Sequence, residues 1–101
     1  AGEVRRVIDG APRVLKLALG ALAELEAGMG EDSLLAMVQR FETQAYSTRD
    51  VLALIVAGLR GGGWSGEARD LLTAEVEGGP VAAARAAAML LARAFAVPEG
   101  A

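Results

Sequence analysis

Glu3-Val4-Arg5-Arg6-Val7-Ile8-Asp9-Gly10-Ala11-Pro12-Arg13-Val14-Leu15-Lys16-Leu17 is the stretch on which the fold turns. Two runs rich in valine, isoleucine and leucine, with charges interleaved, flank Asp9-Gly10. Asp-Gly tolerates the positive φ of a tight turn, so the pattern predicts a β-hairpin. Parity places Val4, Ile8, Leu15 and Leu17 on one face, with Arg6 and Arg13 sharing it near the turn. A two-stranded hairpin is marginal in water, so this one must lie on helices or pair with another chain.

Beyond Leu17 the period becomes helical. Leu19, Leu22, Leu25 and Met29 form one stripe, ended by Gly28 and Gly30. Glu26 falls at the edge of that face, where it is expected to accept hydrogen bonds from backbone amides or an arginine. A second helix is predicted over 32–41 on Leu34, Val38 and Phe41. Ser47-Thr48-Arg49-Asp50 opens a third, capped by a hydroxyl, which runs to Arg60 and stops at Gly61-Gly62-Gly63. Its apolar arc covers more than half its circumference, the mark of a central helix. Gly58 lies in that arc. A glycine there costs about 1 kcal/mol against alanine unless another helix approaches closely, so contact with the alanine-lined last helix is expected.

Trp64-Ser65-Gly66-Glu67 opens a predicted fourth helix, with Leu71, Leu72 and Val76 inward and Gly78-Gly79 as its end. Pro80 then begins a last helix running to Val97. The predicted fold is α+β, an N-terminal β-hairpin followed by a small bundle of four to five α-helices. It is expected as one domain over 1–101, with the hairpin at 3–17 and the bundle at 18–97.

The last helix has two apolar flanks, one on Val81, Ala84, Ala88, Leu91 and Phe95, the other on Ala83, Ala87, Leu90, Ala94 and Val97. The second flank is read either as core or as a partner surface, rimmed by Arg85 and Arg93. Trp64 is read either as a cap on the corner between helices or as a partner-facing anchor.

Composition narrows the chemistry. The chain has 101 residues, 53% hydrophobic and 23% charged, with neither cysteine nor histidine. That removes disulfides, thiolate nucleophiles, imidazole catalysis and the usual zinc sites. Glu24/Glu26 and Glu75/Glu77 are spaced i, i+2 and point to different sides of a helix, so neither is an acid–base pair. Gly61-Gly62-Gly63 lacks the Lys-Ser/Thr of a phosphate loop. No catalytic residue, metal or cofactor is expected. A net charge of −3 argues against nucleic acid, and no apolar run reaches the length of a membrane span. With no charged-then-apolar leader at the start, a cytoplasmic protein is expected. The charge is uneven, since residues 1–20 carry a local excess of two cations. The hairpin edges and the second flank of the last helix also suggest a homo-oligomer.

The hairpin, the Gly20-Ala21-Leu22-Ala23-Glu24-Leu25-Glu26 helix, Ser33-Leu34, the Ala57-Gly58-Leu59-Arg60-Gly61-Gly62-Gly63 run and the alanine-rich final helix resemble the small tail-protein family of gene transfer agents and related phages, classed with phage tail-assembly chaperones. The resemblance implies a non-enzymatic protein that binds and shields the tape-measure protein during tail morphogenesis, with tail-tube subunits as further partners. Some members carry a tail-tube label, which implies instead a structural tail component retained in the particle. A tube subunit typically needs a sizeable β-sheet, and two strands favour the chaperone reading.

Overall fold

The computed structural model describes residues 2–95. Strands β1 (Val4–Ile8) and β2 (Ala11–Leu15) pair antiparallel, Val4 opposite Leu15 and Ile8 opposite Ala11. Asp9 and Gly10 take φ of 50° and 75°, so a two-residue turn closes the hairpin. Val4, Ile8, Leu15 and Leu17 are all buried, on the face that parity requires. Helices α1 (Leu19–Ala27), α2 (Leu34–Glu42), α3 (Thr48–Gly61) and α4 (Gly79–Ala94) follow. The architecture is therefore α+β, a hairpin and then four helices.

Helix α3 is the hub, packing against α1, α4 and β2. Ser47 starts it with a reciprocal cap: Ser47 Oγ accepts from the Asp50 amide, and the Asp50 carboxylate accepts from the Ser47 amide. Leu54 and Leu59 on α3, Leu15 on β2, Leu90 on α4 and Met37 on α2 are among the most deeply buried side chains.

The glycines of α3 explain how a strand can lie on a helix end. The Lys16 amide donates to the Gly58 carbonyl at 2.8 Å. A methyl at Gly61 would fall on the Lys16 carbonyl oxygen, and one at Gly62 on that of Val14. Gly61 and Gly62 are thus more than a helix stop and a link. They make the notch into which the β2 backbone settles.

Two expectations change here. The helix predicted after Trp64 is a single 3₁₀ turn, Ala68–Leu71. Past it the chain gives its backbone to β1: the Asp9 amide donates to the Glu75 carbonyl, the Glu77 amide donates to the Val7 carbonyl, and Val76 bridges Ile8. Asp9 adds its carboxylate, which accepts from the Glu75 amide at 2.9 Å. On α1, Leu19 points outward, 84% exposed, while Ala21 and Leu25 are buried. The cause is again Gly61, whose added Cβ would sit 3.2 Å from Ala21 Cβ, so α1 turns its small residue to α3.

Candidate interaction surface

Among the described residues no group of three or more His, Cys, Asp or Glu could hold a metal, and no helix is long and apolar enough to cross a membrane. The candidate site is a surface. An open groove of about 1110 Å³ runs between the N-terminal halves of α3 and α4. Val51, Leu52 and Ile55 line it from α3, and Val81, Ala84 and Ala88 from α4. One end is walled by Phe41 and Tyr46, stacked with ring centroids 4.5 Å apart. Gln44 at φ 59° turns the chain back between these two rings. Leu71 and Val76 form the other wall, and Val81 is 62% exposed within it.

This placement chooses between the two readings of the second flank of α4, in favour of core. Leu90 is only 1% exposed, and a Cβ at Gly58 would lie 2.8 Å from its Cδ1 and 3.1 Å from Leu15 Cβ. The missing side chain at Gly58 draws the Leu90 flank inward, so Leu90 is core and cannot line a partner groove. Ala94 is half-buried against the same core, and Val97 lies outside the described residues. Ala83 does reach the groove, beside Arg85 on its rim.

Arg85, Met89 and Arg93 recur every four residues along α4, and two of them are engaged by the N-terminal segment. Met89 Sδ accepts from Arg6 Nη2 at 3.3 Å, and the Arg93 guanidinium donates to the Glu3 carbonyl. Trp64 is half-buried and packs against the core, its ring occupying the space where a side chain at Gly66 would be. Glu26 does not take the role expected of it. It is exposed, and Glu24, two residues earlier on another side of the helix, pairs with Arg60.

One constellation had no local sequence signal. Arg40, in the last turn of α2, bonds Asp32 at 2.8 Å and Asp50 at 2.9 Å, spacings of eight and ten residues. It clamps the entry of α2 to the entry of α3. The hydrogen bonds from Arg40 hold the carboxyls of Asp32 and Asp50 below the usual carboxylate range, helped by the Ser33 and Ser47 amides. The groove residues Val51, Leu52 and Val81 carried only the general signal of an apolar arc too wide for one neighbour.

No curated protein and no solved structure matches the chain. A protein family does match, over residues 1–97, and its description is "Phage tail tube protein, GTA-gp10". With nearly its whole length covered, the chain belongs to this phage tail tube protein family of gene transfer agents.

Proposed function

We propose that the protein is a structural component of a phage-like tail, built into the tube or onto it and retained in the particle, with no enzymatic activity. The observation that carries this reading is the family match along residues 1–97. The open groove supports it, because an apolar cleft with a wet rim suits an amphipathic helix from another tail protein.

A second reading, an assembly chaperone that shields the tape-measure protein in the cytoplasm before the tube polymerises, is favoured by one specific observation. The turn end of β1 is bonded within the chain by residues 75–77, and the end of α3 holds the chain just past β2, where the Gly58 carbonyl accepts from the Lys16 amide. Little strand is left with which to extend a sheet from subunit to subunit.

Quantitative mass spectrometry of purified particles separates the two. A structural component appears at a fixed ratio to the other tail proteins. A chaperone is absent from particles and co-purifies with the tape-measure protein from lysates.

A further inference from the structure

Residues 30–46 form a strap, α2 between two turns, that is thinly tied to the rest of the molecule. Among the described residues no backbone hydrogen bond joins this segment to the hairpin, α3 or α4. The side-chain bonds from Arg40 to Asp50 are its one polar tie to those elements. Both ends of the strap can act as hinges. Gly30 takes φ 65° at one end and Gln44 takes φ 59° at the other. Gln44 closes α2 as a Schellman turn, its amide donating to the Phe41 carbonyl and that of Ala45 to the Arg40 carbonyl. This left-handed position favours glycine, so a glutamine there strains the closed form.

The strap also ends the groove between α3 and α4. Phe41 on α2 and Tyr46 beyond the hinge stack to wall one end, while Leu71 and Val76 wall the other. A helix with its side chains is about 10–12 Å across, so it cannot continue past either wall. The two walls are not equally held. Val76 is fixed by backbone bonds from its neighbours to β1 and its turn, whereas Phe41 hangs on the strap.

We propose that α2 is a gate, swinging on Gly30 and Gln44 to part Phe41 from Tyr46 and lengthen the groove for an apolar helix of another tail protein. The proposal rests on the reading that the groove receives such a helix. Among the residues lining it only Glu75 and Arg85 are charged, one of each sign, which suits an apolar occupant and not a polyanion. Opening strands no charge. Arg40 keeps Asp32, which belongs to the strap and moves with it, and the Asp50 carboxylate keeps the Ser47 amide. What opening uncovers is apolar, namely Met37 with the partly buried Leu34, Val38 and Phe41. That loss holds the gate shut in the free protein, and the apolar face of an incoming helix offsets it.

Hydrogen exchange and peptide binding, both on the full chain, test the gate together. The probe is a synthetic amphipathic helix of leucine, glutamate and lysine, about 18 residues or five turns long. Where the competent form is scarce, apparent affinity scales with its population. Arg40→Gln should therefore tighten peptide binding by about tenfold, the factor by which it speeds exchange in α2. Gln44→Gly relieves the strained hinge of the closed form, so it should slow α2 exchange and weaken binding, each by about threefold. Val81→Asp should abolish binding and leave α2 exchange unchanged, which places the peptide in the groove. The gate is overturned if affinity stays constant while α2 exchange shifts, or if the peptide binds neither the wild type nor Arg40→Gln. It is overturned equally if Arg40→Gln dimerises in place of binding the peptide, which would give the opened groove to a second copy. Should Arg40→Gln fail to fold, the paired shifts of Gln44→Gly decide alone. Absence of the protein from purified particles would defeat the tail-component reading and leave the gate standing on those paired shifts.

Discussion

Gly61 tests the notch in α3 most sharply. Its backbone is helical, so alanine costs nothing in φ and would gain helix propensity on an exposed surface. Here the methyl meets a backbone carbonyl that cannot swing aside. Gly61→Ala is therefore expected to lower stability by about 2 kcal/mol or more in urea denaturation, within the range of overpacked cores. At Gly58 the nearest obstacle is the flexible end of Leu90. Gly58→Ala should be milder, and Gly58→Leu should cost about 1–3 kcal/mol. If Gly61→Ala melts with the wild type, β2 does not rest on α3 as described. Asp50 gives the residue-scale prediction for pH. Its carboxyl is held low when folded, so its contribution is fully present above the unfolded value of about 4 and is lost as pH falls through the depressed folded value. Stability should therefore fall below about pH 4, and Asp50→Asn should flatten part of that acid limb while lowering stability at pH 7 by about 1 kcal/mol through the weakened cap.

At the scale of elements, the two flanks of α4 make opposite predictions. Leu90→Asp buries a charge beside Leu15 and Gly58, and it should prevent stable folding. Val81→Asp places the same charge on the exposed wall of the groove, where thermal stability should change by less than about 0.5 kcal/mol. If the groove receives another tail protein, that variant should still fold and yet fall out of pull-downs and particles; wild-type incorporation would remove the groove from the assembly. The hairpin, the capped start of α3, Pro80 at the head of α4 and the close crossing at Gly58 were all legible in the sequence, because each rests on local chemistry or on one periodic face. The segment after Trp64 was not. Its helical spacing of Leu71, Leu72 and Val76 is real, but the exposed edge of β1 offers these backbone groups another use, more than sixty residues away in sequence. Which side of α4 is core stays open in the sequence for a similar reason. Both are apolar, and only the contour of α3 decides which is covered. Arg40 and its two aspartates were invisible because no helical or strand period links positions 32, 40 and 50.

For the whole molecule, the unequal anchoring of elements predicts the order in which it opens. Helix α3 touches α1, α4, β2 and the 3₁₀ turn, whereas α2 makes no comparably broad contact with another element. Only Met37 of α2 is fully buried, and Leu35 is 68% exposed. What ties α2 down is the packing of Met37, with the partly buried Leu34, Val38 and Phe41, and the Arg40 clamp, which joins it to the residue before its own cap and to the start of α3. Local opening follows the regions with least buried apolar contact, so hydrogen exchange should show the amides of α2 opening well below the global unfolding free energy, with those of central α3 near it. The clamp makes the contrast adjustable. Arg40→Gln removes both ion pairs and leaves Met37 in place, so exchange in α2 should speed by about tenfold while central α3 changes by no more than the accompanying loss of global stability. Lowering the pH through the range where Asp32 and Asp50 take up protons should do the same to the wild type, once the intrinsic acid slowing of exchange is corrected, and should do little further to the variant. Uniform acceleration along the chain would mean that α2 and α3 open as one unit, and that the clamp is not what holds α2 in place.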